Sequence, residues 1–192
     1  MKKQVKKKRA PIVTLLGHVD HGKTTLLDYI RKTRVAKKEA GGITQGIGAS
    51  QVVAKAAENF NIIDTPGHAA FTQMRCRGAK VADIAILVVA VDDGVKPQTK
   101  EALTYIRESE SPYIVVITKT DITSANVESV LGQLEKEGVL LEKRGGNIPW
   151  TSLSAKTGKG VDDLLQLILL VSEINEIEGD PEDNHEAVVI ET

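Results

Sequence analysis

From residue 11 to about residue 170, short apolar runs alternate with longer stretches whose apolar residues recur at helical spacing. That alternation is how parallel strands joined by crossover helices read in a sequence. It predicts strands at 12–16, 51–55, 61–63, 84–91, 113–117 and 150–153 and helices at 23–32, 69–81, 97–109, 125–137 and 161–171. The run at 84–91 is unbroken by polar residues, as expected of a strand covered on both faces at the centre of a sheet. In the last helix Leu164, Leu165, Ile168 and Leu169 form one apolar stripe behind Gly160, a core-facing surface. The expected fold is α/β, a mostly parallel sheet with helices on both faces.

Beyond residue 172 the pattern breaks. Residues 173–186 lose apolar content and gather Gly179, Pro181 and acidic side chains, which reads as a linker. Ala187-Val188-Val189-Ile190 reads as the start of a following β domain at 187–192, because one strand alone cannot satisfy its own backbone. The opposite end, residues 1–10, is a basic leader carrying Lys2, Lys3, Lys6, Lys7, Lys8 and Arg9, expected to be flexible. The division expected is therefore 1–10, 11–172, 173–186 and 187–192.

With 192 residues the chain can bury one sizeable core, and 41% hydrophobic against 27% charged residues argues against disorder. A single cysteine, Cys76, cannot form an internal disulfide, and no run has the length of a membrane span. The expectation is a cytoplasmic monomer without membrane contact. The formal net charge of −1 conceals a basic start and an acidic end. The leader invites weak attraction to RNA phosphates, or is simply a solvated tail.

Gly17-His18-Val19-Asp20-His21-Gly22-Lys23-Thr24, followed by Thr25, matches G-x-x-x-x-G-K-[ST] between a predicted strand and a predicted helix. Its glycines let backbone N–H groups and the positive helix end converge on phosphate oxygens. Lys23 supplies a positive charge for the β- and γ-phosphates, and the Thr24 hydroxyl suits magnesium, which keeps water and phosphate oxygens as its other ligands. A fingerprint of this kind is shared by ATP and GTP enzymes.

Further landmarks narrow the choice. Asp64-Thr65-Pro66-Gly67-His68 follows the strand at 61–63, so Asp64 falls at a carboxyl strand end, where ligands of open α/β sheets bind. Asp64 is expected to hold the metal through water, Gly67 to offer its N–H to the γ-phosphate, and His68 to orient the attacking water. In Ala40-Gly41-Gly42-Ile43-Thr44-Gln45-Gly46 the Thr44 hydroxyl could complete the metal shell only when the γ-phosphate is present. Thr118-Lys119-Thr120-Asp121 and Ser154-Ala155-Lys156 close two later strands and suit a guanine pocket. The Asp121 carboxylate can accept from two neighbouring guanine N–H groups, whereas adenine would leave it unpaired. Lys119 can lie along the base, and the Ala155 N–H can meet the guanine carbonyl.

These residues resemble the translation factor GTPases, elongation factor Tu among them, through Gly17–Leu26 and Asp64–His68. Within that class, Ala40–Gln45, Gly67–Thr72 with Arg75 and Arg77-Gly78-Ala79, and Asp92-Asp93-Gly94-Val95-Lys96-Pro97-Gln98-Thr99 look like the guanine-nucleotide domain of bacterial translation initiation factor two. The resemblance implies a P-loop NTPase three-layer fold, magnesium-dependent GTP hydrolysis stimulated by the ribosome, and a part in ribosomal subunit joining. It also implies a monovalent cation beside Asp20, and an apolar gate of Val19 and Ile43 before His68. Initiator transfer RNA would be met only through later domains. One departure is plain: the family pattern has asparagine where this chain has Thr118, whose hydroxyl can still tether the base pocket to the phosphate loop, with weaker nucleotide affinity expected.

Two rivals remain at the level of sequence. One is a nucleotide-gated binding module without useful hydrolysis, the other an ATP-dependent enzyme. His18 and His21 lack a cysteine or third histidine for a closed metal site, and Cys76 lacks a neighbouring base, so it is expected to be a small packing residue.

Overall fold

The computed structural model describes residues 7–31, 48–53, 59–64 and 81–179. In chain order the elements are β1 (Lys7–Lys8), β2 (Ile12–Gly17), α1 (Lys23–Arg31), β3 (Gly48–Val53), β4 (Asn59–Asp64), β5 (Ile84–Ala90), α2 (Pro97–Ser109), β6 (Tyr113–Thr118), α3 (Val127–Lys136), β7 (Trp150–Ser152), α4 (Val161–Ile174) and β8 (Glu178–Gly179).

Six strands form one sheet in the order β3-β4-β2-β5-β6-β7. All neighbours are parallel except the edge pair β3 and β4. Every residue of β5 is buried, as its unbroken apolar run demands, and its side chains divide by pleat. Ile84, Ile86 and Val88 join Val13, Leu15, Leu26, Leu164 and Ile168 on one face, under α1 and α4. On the other, Ala85, Leu87 and Val89 meet Ala102, Leu103, Ile106, Leu131 and Leu134 from α2 and α3. The sheet is thus the middle layer of three, and the phosphate-loop strand β2 lies inside it between β4 and β5.

Local signals set the helix starts. Pro97 opens α2, and the Thr99 hydroxyl accepts from the Lys96 N–H at 3.2 Å. Asn126 caps α3 by accepting from the Ser129 N–H at 3.0 Å, so this helix starts later than the 125 predicted from periodicity. The last helix runs to Ile174 rather than 171. Apart from its last residue, the helix predicted at 69–81 lies outside the described residues, as do Ile43, Thr44, Gly67, His68 and Cys76.

Two short strands have no counterpart in the sequence reading. Lys7–Lys8, within the expected leader, pairs antiparallel with Glu178–Gly179, within the expected linker. Arg9 then makes a two-pronged contact with Asp83, at 2.7 and 2.5 Å, while the Ile12 N–H donates to the same carboxylate at 2.7 Å. Hydrophobic patterning is blind to this arrangement, because its contacts are backbone and charge rather than apolar surface.

Candidate nucleotide-binding site

All the described landmarks meet at the carboxyl edge of the sheet. Strand β2 ends at Gly17, whose backbone has φ +147° and lies so close to β5 that a Cβ would collide with the Val88 carbonyl oxygen. Only glycine fits there. The chain then turns through Asp20, at φ +61°, and Gly22 before α1 starts at Lys23. Lys23 is buried and its ammonium donates to the carbonyls of Gly17, at 3.0 Å, and His18, at 2.6 Å. The lysine therefore spans its own loop and holds a positive charge over the loop's mouth. Thr24 is half-buried and Thr25 exposed on the first turn of the same helix.

Two tethers fix the floor of the loop. The first is Thr118 at the end of β6, whose buried hydroxyl donates to the His21 carbonyl at 2.6 Å. It makes the tether to the phosphate loop that the sequence reading allowed a threonine here. The second is the His21 side chain, fully buried, with Nδ1 at 3.2 Å from the Val88 carbonyl and Nε2 at 3.5 Å from an Asp93 carboxylate oxygen. A carbonyl only accepts, so Nδ1 carries the hydrogen. His18 packs edge-on to this ring, with centroids 5.1 Å apart. The two rings thus pack against each other within the loop.

Burial pushes the His21 imidazole down from 6.5 to about 4, so the ring is neutral at pH 7. An unfolded chain would take up this proton near pH 6.5, the folded one only near pH 4. Stability from this group is complete above 6.5 and is lost as pH falls toward 4, by about 3 kcal/mol in full. Urea unfolding at pH 7.5 and 4.5 should show His21→Asn losing about 2 kcal/mol less than the parent over that interval. Equal losses in the two proteins would remove His21 as the acid-sensitive group.

On the base side, Lys119 takes a left-handed backbone (φ +61°), and its ammonium pairs with Asp92 at 3.0 Å. The Ser154 hydroxyl donates to one Asp121 oxygen at 2.6 Å, and Lys156 stands 3.9 Å from the other. That hydroxyl bond above all, with Lys156 helping, holds the Asp121 carboxyl below the usual carboxylate range. The Ser154 oxygen also accepts from the Thr157 N–H at 3.3 Å, so one buried serine shapes the 154–158 turn and aims Asp121. Ala155, half-buried, sits between them. On the adjacent strand Asp64 closes β4 in register with Leu15, two residues before Gly17, which brings its backbone to the phosphate-loop edge.

The Elongation factor Tu GTP binding domain family matches residues 8–173. The chain belongs to that family. Among curated relatives, translation initiation factor IF-2 of Bacillus velezensis is 54% identical over 95% of this chain and 25% of its own length. The IF-2 of a Nitratiruptor species is 53% identical over 96% of this chain and 22% of its own length. The chain thus spans about a quarter of the length of such relatives. Among solved structures, GDP-bound aIF5B from Aeropyrum pernix superposes with a TM-score of 0.68 at 35% identity, covering 89% of this chain and 37% of that one. A bacterial selenocysteine-specific elongation factor, EF-Sec, gives 0.70 at 31% identity over 86% and 29%. The six-stranded sheet with helices on both faces is the P-loop NTPase fold the sequence predicted.

Thr118 touches the phosphate loop at His21, while Lys119 and Asp121 after β6 and Ser154, Ala155 and Lys156 after β7 follow neighbouring parallel strand ends, with Ser154 and Lys156 both beside Asp121. Sequence reasoning assigned no task to Asp92, Asp93 or Gln98. Gln98 accepts the Val19 N–H at 3.0 Å, and its only sequence signal was the Asp92–Thr99 motif that carries the family resemblance.

Proposed function

We propose that this chain is the magnesium-dependent GTP-binding and GTP-hydrolysing switch of a translation initiation factor, stimulated by the ribosome during subunit joining. The observation that carries the reading is the bond from Thr118 to His21. It ties a lysine-closed phosphate loop to the strand end that leads into a serine-aimed carboxylate on the same sheet edge, which supports one ligand bound across both. Family membership and the GDP-bound state of the aIF5B relative support the nucleotide. Thr24 offers magnesium a hydroxyl at the start of α1, and Asp64, at the end of β4, belongs to the strand edge beside it; this hard-oxygen donor set fits that metal. Magnesium would draw charge from the phosphates. Lys23 and the loop N–H groups would bind and orient them, and Asp121 with Ala155 would select the base.

Water activation is assigned to His68 and γ-phosphate sensing to Thr44 with Gly67, all three from the sequence. The monovalent cation beside Asp20 belongs to the same proposal. So do the unit boundaries, with residues 11–172 as the nucleotide domain, the cytoplasmic monomer, and initiator transfer RNA meeting only domains beyond this chain.

The test is phosphate release with and without ribosomes, for the parent and for His68→Ala. Stimulation of about 10³-fold or more is expected in the parent and its loss in the variant. Full stimulation in the variant removes His68 as the water-orienting group, and no stimulation in the parent leaves a nucleotide-gated binding module instead.

A further inference from the structure

The geometry points to Gln98 as a positioning residue of the phosphate loop, a role that rests on the nucleotide-binding reading above. Val19 is the third residue of that loop. Its N–H is taken by the Gln98 side-chain oxygen at 3.0 Å, from the first turn of α2. A loop N–H committed within the protein adds no donor to a phosphate. It fixes instead the orientation of the peptide units that follow, through the left-handed Asp20 to Gly22 and Lys23, whose N–H groups converge on the ligand.

Gln98 is itself anchored. The segment between β5 and α2 is held from α3, where the Gln133 oxygen accepts the Val95 N–H at 2.8 Å. Gly94 has φ +69°, a left-handed backbone that favours glycine, and the end of the Gln133 side chain lies against it where a Cβ would be. Asp93 in this segment bonds Lys96 at 2.9 Å and faces the buried His21 ring at 3.5 Å. Asp92 holds Lys119. One stretch, Asp92 to Gln98, therefore touches the phosphate loop at Val19 and His21 and the base side at Lys119. Gln133 on α3 and Gln98 at the end of this stretch together pass the position of α3 to the phosphate loop.

The test compares the full chain with Gln98→Met, which keeps length and loses the acceptor, and Gln98→Glu, which keeps an acceptor oxygen. Amide hydrogen exchange at Val19, with Val88 as a control for global folding, is read alongside affinity for fluorescent GDP and its competition by ADP. In Gln98→Met, Val19 exchange should speed up and GDP affinity fall, each about 10-fold, with Val88 exchange and the preference for GDP over ADP unchanged. Val19 should stay protected in Gln98→Glu. Unchanged Val19 exchange or unchanged GDP affinity in Gln98→Met, in a parent that binds GDP, overturns the role of Gln98 alone. A parent that binds no GDP overturns the nucleotide reading and this role with it.

Discussion

Asp121→Asn should lower affinity for GDP by at least about 100-fold while leaving the fold intact. The Asp121 carboxylate is held ionised and aimed by the Ser154 hydroxyl at 2.6 Å, a bond that an asparagine oxygen in its place can still accept. Guanine offers two adjacent N–H groups to such a carboxylate. An asparagine in the same place presents one acceptor and one donor, so one of the two bonds becomes a donor–donor clash. The loss of a charged bond and the creation of that clash together cost about 3 kcal/mol. Xanthine carries a carbonyl where guanine has its amino group, so the asparagine donor gains a partner. Xanthosine diphosphate should therefore bind the variant better than GDP does. Calorimetric titration of both nucleotides checks this. An unaltered GDP affinity would show that Asp121 does not read the base, and would reopen the ATP-dependent alternative.

The parts of this site that sequence made legible are those whose chemistry is local. Gly17 to Thr25 carries its glycines, lysine and hydroxyls in one stretch between a strand and a helix, so pattern and mechanism coincide there. Thr118 to Asp121 and Ser154 to Lys156 were legible because each closes an apolar run, and strand ends of a parallel sheet share one edge. What escaped depends on contacts across distance. The Lys23 ammonium turns back on its own loop carbonyls, a geometry set by the Asp20 and Gly22 backbone rather than by residue type. His21 was weighed as a metal ligand and set aside, but its burial under Val88 and Asp93 is visible only once β5 is seen to lie against the loop. The pairing of Lys7–Lys8 with Glu178–Gly179 joins the chain's two charged flanks and leaves no hydrophobic trace. Thr44, Gly67 and His68 lie outside the described residues, so their roles stand on the sequence and on the ribosome experiment.

Gly17→Ala is expected to be strongly damaging. Two costs act at once. At φ +147° an alanine backbone is strained, and its Cβ would run into the Val88 carbonyl of the neighbouring strand. That carbonyl cannot swing aside, because β2 and β5 are locked in parallel register from Val13 to Gly17, and the same oxygen already meets the His21 ring. Relief requires the ends of the two central strands to separate, and with them the loop on which Lys23 closes. A stability loss of about 3 kcal/mol or more is expected, seen as a lower urea midpoint with an unchanged slope. Nucleotide binding should fall even under conditions where the variant is fully folded, since the Gly17 carbonyl that holds Lys23 moves with the strand end. A variant with the parent's midpoint and the parent's GDP affinity would mean that the close approach of β2 to β5 at Gly17 is not what shapes the phosphate loop.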